Sequence, residues 1–440
     1  LTCIIFFQNS ILNYIWELMK LKKKLAIFLL IFFTFTASTQ SREMSIQQLE
    51  ERKKIDLERK KKRDDKGSKK FVKDIKLTTD IIFITKEREV PAVLSNLDPI
   101  LNDEGFYGIQ LGVEDNLTTG RFLGHDYKVK MIQVSLKEDL EEEFKKLIKS
   151  GYTYFVADLN SGELSKLSNL KESKNILLIN IRSKEDSLRN EFCKTNLIHV
   201  APSYTMLSDA LTQYLVKKKW KKWFLVIGPE KEDKAYADAL KKSAKKFNIK
   251  IKEERVWDFA SDLRRTAQKE IPIFTKGVNY DIMVVADEKG EFGEYLSYRT
   301  WDPRLIVGSQ GLKPTNWHRT HEQWGATQMQ NRFRRKSGRW MTPVDYSAWV
   351  AVRVIGEAVS RVQDNKLQSI KEYLFSEGFG IGAYKGVKVS FRNWNGQLRQ
   401  PILLAAPRSM VSVSPQEGYL HPTSELDTLG VDEPESSCKF

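Results

Sequence analysis

The stretch Tyr154-Phe155-Val156-Ala157-Asp158-Leu159-Asn160-Ser161-Gly162 joins a short apolar run to a polar turn and then to a helix start. The run is typical of a strand that is buried on both faces. Ser161 and Gly162 are predicted to open a helix, where free N–H groups and the helix dipole favour an anionic ligand group. An ordinary helix N-terminus without a ligand is the alternative interpretation.

Strand-like runs and helical stripes alternate along most of the chain, which predicts an α/β fold with parallel sheets covered by helices on both faces. Further strands are predicted at Ile81–Thr85, Lys128–Val134, Ile176–Ile181, Trp223–Ile227, Ile282–Ala286 and Leu305–Val307. Helical stripes are predicted within Leu140–Ile148, Met206–Leu215, Tyr236–Phe247 and Val344–Val362. Later strand-like runs are Val387–Phe391 and Ile402–Ala405.

Polar residues follow several of the predicted strands. Ligands bind beyond the carboxyl ends of strands in open parallel sheets, so these residues are candidates for a binding site. The candidates are Asp158, Ser161, Asn180, Ser183 and Asp287.

Composition argues against a nucleic-acid partner. The chain has 72 Lys and Arg against 57 Asp and Glu, a net charge of +15. The densest basic run, Arg52–Lys70, contains no interleaved aromatic residues. Later lysines, such as Lys241, Lys242, Lys245 and Lys246, are predicted to form a solvated helix face. At 440 residues the chain is longer than one average domain, which favours two lobes.

Sequence motifs of enzymes are missing. The chain contains neither a GxxxxGK[ST] phosphate loop nor a GxSxG nucleophile elbow, and the glycines near residue 380 lack dinucleotide-binding spacing. His318 and His321 are three residues apart but have no further partners with metal-ligand spacing. We therefore predict no enzymatic activity, no cofactor and no metal site.

A secretory signal peptide is predicted at residues 19–38. Met19–Lys24 is basic, Leu25–Phe35 is apolar except for Thr34, and small residues follow. The apolar run is short for a membrane span, so a retained anchor is the weaker alternative and the mature chain is not expected to insert into a membrane. Residues 1–18 are interpreted as upstream translation, and residues 39–77 as a charged leader.

Cys193 and Cys438 are the two cysteines that follow the predicted signal peptide. In an oxidising compartment they are a candidate disulfide, and two free thiols are the alternative.

Three segments resemble the type I periplasmic binding proteins related to branched-chain amino-acid receptors. They are Val156–Gly162, Ala201–Ser203 with the helix that follows it, and Asp345–Trp349 continuing to Glu357-Ala358. Four strings resemble, more closely, the subfamily associated with pyrroloquinoline-quinone-dependent alcohol dehydrogenase systems: Tyr298–Arg304, Glu322–Gln328, Gly396–Pro401 and Leu426–Gly430. This closer resemblance covers nearly all of residues 78–440.

The resemblance implies two doubly wound lobes joined by three crossovers that act as a hinge. Lobe one would comprise residues 78–199 and 316–385, and lobe two residues 200–315 and 386–414, with residues 415–440 as a C-terminal extension. It also implies a monomeric periplasmic receptor that binds a small ligand between the lobes and presents it to the permease and ATPase of an ABC importer.

Individual positions carry over from the resemblance. Ser161 and Ser183 match positions that hold the ligand's anionic group, while Tyr236 and Asp287 match second-lobe positions that face the cleft. Asp158 replaces a proline of the amino-acid receptors, and Ala237 follows Tyr236 where glycine is common, so the ligand stays open. A periplasmic sensor or docking protein with the same clamshell is the alternative function, and an enzyme of alcohol oxidation is less favoured.

Overall fold

The computed structural model describes residues 74–89, 100–258, 263–438 and 440. The predicted signal peptide, the upstream segment and most of the charged leader lie outside the described residues. Residues from Lys73 onward belong to one compact unit of the chain.

The first sheet is parallel throughout and has the strand order β2-β1-β3-β4-β5. Its central strands are almost completely buried, because apolar side chains on both faces contact helices. The strands are β1 Leu77–Lys86, β2 His125–Val134, β3 Tyr154–Asp158, β4 Leu177–Asn180 and β5 Leu197–His199.

Two groups of helices cover the two faces of this sheet. On one face, Ile81, Phe83 and Val156 pack against helices α1, α8, α9 and α10. On the other face, Ile82 and Phe155 pack against α2 and α3. These helices are α1 Phe106–Leu123, α2 Leu140–Lys149, α3 Ser161–Asn169, α8 Ala326–Ser337, α9 Pro343–Val362 and α10 Leu367–Leu374.

The second sheet is also parallel, in the order β7-β6-β8-β9, and has its own core on each face. Its strands are β6 Lys222–Ile227, β7 Lys250–Val256, β8 Ile282–Ala286 and β9 Ile306–Gly308. Its helices are α4 Tyr204–Lys217, α5 Lys231–Lys246, α6 Leu263–Thr275 and α7 Gly293–Leu296. The predicted α/β class with two parallel-sheet lobes is confirmed.

Short antiparallel strands complete both lobes. β10 Lys313–Thr315, β14 Ile402–Ala406 and β15 Ser409–Ser414 form one sheet, and β11 Ile381–Gly382, β12 Lys388–Phe391 and β13 Leu398–Arg399 form another. Val389, Phe391 and Leu398 pack into the core of lobe one, whereas Ile402 and Leu404 pack into that of lobe two.

The chain passes between the two cores three times before its C-terminal segment. The passages lie between Val200 and Tyr204, between Leu312 and Trp317, and between Leu398 and Ile402. The third follows β12 and β13, whose Val389, Phe391 and Leu398 contact the core of lobe one. The lobe boundaries expected from the resemblance stay a prediction.

Candidate functional site

A cavity of about 1070 Å³ opens at the carboxyl ends of the first sheet. Most of its wall comes from lobe one, and Lys289 contributes from the segment that follows β8 in lobe two. The wall has an apolar part with aromatic rings and a charged part, a combination that is common in small-molecule sites. The lining residues that matter below are Phe83, Arg88, Glu104, Phe106, Tyr107, Asp158, Arg182 and Lys289.

An ionic cluster forms the charged part of the wall. Asp158 ends β3 with 2% of its surface exposed and accepts hydrogen bonds from Thr85 Oγ1 at 3.2 Å and from Arg88 Nη1 at 3.3 Å. Arg182 donates from Nε to Asp158 and from Nη2 to Glu104 Oε2 at 2.7 Å. The carboxylates of Asp158 and Glu104 therefore neutralise the guanidinium groups of Arg88 and Arg182 at this end of the cavity.

The cluster keeps Asp158 ionised. Burial favours the neutral carboxylic acid, but the nearby guanidinium groups of Arg182 and Arg88 outweigh it and lower the pKa of Asp158 below its ordinary value. Burial favours the neutral form of Arg182, but the carboxylates of Asp158 and Glu104 outweigh it and raise the pKa of Arg182.

Ser161 begins α3, as the sequence predicts for the Ser-Gly segment. Asn160 caps the helix by accepting from Glu163 N at 2.9 Å, and the Glu163 carboxylate accepts from Asn160 N in return. Asn160 rather than Ser161 is thus the capping residue. The half-buried Ser161 hydroxyl makes no hydrogen bond within the described part of the chain, but Ser161 does not line the cavity.

Asn180 and Ser183 organise the turn after β4 rather than lining the cavity. The Asn180 side chain accepts from Ser183 N at 2.8 Å and donates to Ser183 O at 2.8 Å. It also contacts His199 Nδ1 at 3.1 Å, and Asn180 is fully buried. Their polar groups are largely satisfied by this turn.

Tyr236 and Asp287 lie inside lobe two. Tyr236 is 1% exposed and stacks on Tyr204 with ring centroids 5.4 Å apart. The buried Asp287 carboxylate accepts three backbone N–H groups, from Glu291, Phe292 and Gly293. Neither residue lines the cavity.

A direct ion pair joins the two lobes near the cavity. Lys184, which follows β4 in lobe one, donates to Glu288 Oε2 of lobe two at 2.5 Å. Tyr204 Oη also lies 3.3 Å from this carboxylate. Of the six predicted site residues, Asp158 lines the cavity and Ser161 lies half-exposed at a helix start. The other four, Asn180, Ser183, Tyr236 and Asp287, support the surrounding structure.

Sequence reasoning missed Arg88, Arg182 and Lys289 as lining residues. Each follows a strand, so the rule that selected Asp158 applied to them as well. Their convergence depends on the order of strands in the sheet and on the approach of the two lobes, which the residue pattern does not specify.

Two kinds of feature are absent from the described residues, a metal-binding cluster and a membrane-spanning helix. No group of three or more His, Cys, Asp or Glu side chains there could hold a metal ion. Within the same ranges, no helix has the length and apolar character that crossing a membrane requires.

The architecture and part of the sequence match known binding proteins. A family model described as periplasmic binding protein matches residues 107–269. A periplasmic binding protein of Burkholderia mallei superposes with a TM-score of 0.60 at 16% identity, covering 82% of this chain and 98% of that chain. The protein has the type I periplasmic-binding-protein fold.

Two further solved structures are similar to this chain in fold. A branched-chain amino acid ABC transporter periplasmic ligand-binding protein from Burkholderia xenovorans has a TM-score of 0.64 at 15% identity, covering 82% of this chain and 99% of that chain. An ABC transporter solute-binding protein from R. palustris, solved with benzoate, has a TM-score of 0.59 at 12% identity, covering 84% and 100%. No curated protein matches the sequence.

Proposed function

We propose that this protein is a periplasmic solute-binding protein, which captures a small polar ligand between its lobes and delivers it to the permease and ATPase of an ABC importer. The observation that carries the proposal is the cavity at the strand ends of lobe one, to which lobe two contributes Lys289. Ligands of open parallel sheets bind at such strand ends. The fold it shares with transport receptors supports the same function.

The proposed ligand contacts come from both lobes. Arg88, Arg182 and Asp158 would meet the polar part of the ligand, and Lys289 would approach from lobe two. Ser161 starts α3 outside the cavity wall and is not among the proposed contacts. Phe106 and Tyr107 would contact an apolar part. Asn180, Ser183, Tyr236 and Asp287 are proposed to hold the surrounding turns in place.

The physiological setting is a further part of the proposal. The resemblance of four strings to the subfamily associated with pyrroloquinoline-quinone-dependent alcohol dehydrogenases favours a ligand connected with alcohol oxidation. The receptor itself would perform no chemistry.

The first test identifies the ligand. Native mass spectrometry of protein purified from its own periplasm should reveal a bound small molecule, and calorimetry then gives its affinity for variants. Arg88→Ala removes a proposed ligand contact, a guanidinium group that also donates to Asp158, and we expect ligand affinity to fall about tenfold to a hundredfold. Arg361→Ala, which alters an exposed arginine paired with Glu357 on α9, is the matched control.

Wild-type affinity in a folded Arg88→Ala protein would contradict the placement of the site. Failure of any periplasmic small molecule to bind would contradict the receptor function itself.

A further inference from the structure

The C-terminal segment of residues 415–440, here called the strap, is anchored first on lobe two. Leu429 is fully buried in the core of that lobe. The next residue, Gly430, donates its N–H to the buried Asp209 carboxylate at 2.9 Å, and its carbonyl accepts from Lys246 Nζ at 3.3 Å. These contacts fix the middle of the strap to α4 and α5.

The end of the strap is anchored on lobe one. Cys438 forms a disulfide with Cys193, with the two Cα atoms 5.7 Å apart. Cys193 lies just before β5 of the first sheet. Phe440 packs on the core of lobe one and contacts the Phe375 ring edge-to-face, with centroids 5.4 Å apart. The strap therefore makes a fourth passage between the lobes, and this passage is closed covalently.

The strap also forms ion pairs at the third crossover, the passage between Leu398 and Ile402. The Asp427 carboxylate is buried and accepts from Arg392 Nε at 2.8 Å and from Arg399 Nε at 2.9 Å. Arg392 donates to Leu429 O at 2.6 Å as well. A hinge moves through backbone rotations at a few residues, so ion pairs at Arg399 would stiffen the segment that must rotate.

Little free chain lies between the two anchors. Residues 431–437 join Gly430 to Cys438, and part of this stretch, Glu433–Glu435, is a single 3-10 turn capped by Asp432. Asp432 is held in addition by His421 Nε2 at 3.0 Å. Separation of the two anchors is limited by the length of this segment, because a chain reaches no more than about 3.3–3.6 Å per residue.

We infer that the strap limits how far the two lobes open. The Cys193–Cys438 disulfide fixes the end of the strap to lobe one and so sets the length of chain that connects the lobes. A cleft that cannot open fully keeps its two walls closer to the bound arrangement, which lowers the ordering cost of binding. The consequence for affinity rests on the proposed function, whereas the restraint on opening does not.

The experiment measures opening in the absence of any ligand. Small-angle X-ray scattering compares the oxidised wild type with Cys193→Ser/Cys438→Ser and with a lengthened strap that carries Gly-Ser-Gly-Ser-Gly-Ser between Glu435 and Ser436. The lengthened strap keeps both cysteines, and thiol labelling of the unfolded, unreduced protein verifies the disulfide. The matched control carries the same insertion after Gly151, which has open space around it.

We expect the radius of gyration to increase in both strap variants and to stay at the wild-type value in the control. Wild-type compactness in both folded strap variants would overturn the inference. An increase confined to the serine variant would also overturn it, since strap length would then have no influence. Labelling of two thiols per wild-type chain would remove its covalent basis. None of these outcomes depends on a ligand, so they are independent of the proposed function.

Discussion

Asp158 changes the chemistry available at the end of β3. A buried carboxylate must be paired, and Thr85, Arg88 and Arg182 supply its partners. A ligand that reaches this end of the cavity meets an ion pair that is already formed rather than an unpaired guanidinium group. The amino-acid receptors that this segment resembles have an uncharged proline at this position.

The ionic cluster makes the stability of Asp158→Asn dependent on pH. At neutral pH we expect the substitution to lower the free energy of unfolding by about 1–3 kcal/mol, less than for a fully buried pair, because the Arg88 side chain is 45% exposed. The folded-state pKa of Asp158 lies below the unfolded one, so its stabilisation is present above pH of about 4 and is lost as pH falls through the folded value.

Urea unfolding measures the stability of the wild type and of Asp158→Asn at pH 7, 5, 4 and 3. These pH values lie around the ordinary carboxyl pKa of about 3.9. The difference in stability between the two proteins should be the same at pH 7 and pH 5, and should shrink below pH 4. Glu142→Gln, at an exposed helix pair with Lys145, is the control and should leave stability close to the wild-type value, because solvent screens the pair. A difference independent of pH would contradict the assigned role of the charge.

Helix contact in lobe one depends on small residues of α1. A Cβ atom at Gly108 would lie 2.1 Å from the backbone oxygen of Asp345 in α9, and one at Gly112 would lie 2.8 Å from Val352 Cβ. The absence of side chains at these positions lets the two helices approach closely. The contact holds α9 against the helix that begins at the cavity.

We expect Gly108→Ala to lower the free energy of unfolding by about 1–3 kcal/mol or more, because the added methyl group collides with backbone that cannot shift alone. Gly382→Ala is the control, since its Cβ would have no neighbour within 4 Å. Denaturant titration of both variants measures the effect. Equal stabilities of the two variants would show that the helices can separate without cost.

Strands that are buried on both faces were predictable from the sequence. The predicted runs within β1, β3, β6 and β8 became strands because continuous apolar sequence distinguishes a buried parallel strand. β7 escaped prediction because five of the seven residues of this edge strand are charged, and its side chains are exposed or half-buried. β5 has three residues, too few for any periodicity. Asp158 was found by its position after a strand, whereas Lys289 approaches it only through the arrangement of the lobes.

At the scale of the whole molecule, the proposed function depends on movement of the two lobes. A ligand shifts the balance between open and closed forms only through contacts that differ between them. The Lys184–Glu288 ion pair is such a contact, because its partners belong to different lobes. The pair therefore favours approach of the lobes.

Glu288→Gln should therefore shift the unliganded protein toward open forms. The Lys184 and Glu288 side chains are 37% and 15% exposed, so solvent screens the pair and its contribution is about 0.5–1 kcal/mol, or about a twofold to fivefold change in the open–closed equilibrium.

Glu254→Gln is the matched control, because the Lys241–Glu254 pair lies wholly within lobe two. Scattering at low and high salt measures the radius of gyration of both variants. We expect Glu288→Gln alone to enlarge it, and high salt to bring the wild type toward this variant, since screening weakens the same ion pair. Equal radii in both variants at low salt would mean that the pair does not hold the lobes together, which would leave the hinge and the strap as their only restraints among the contacts described above.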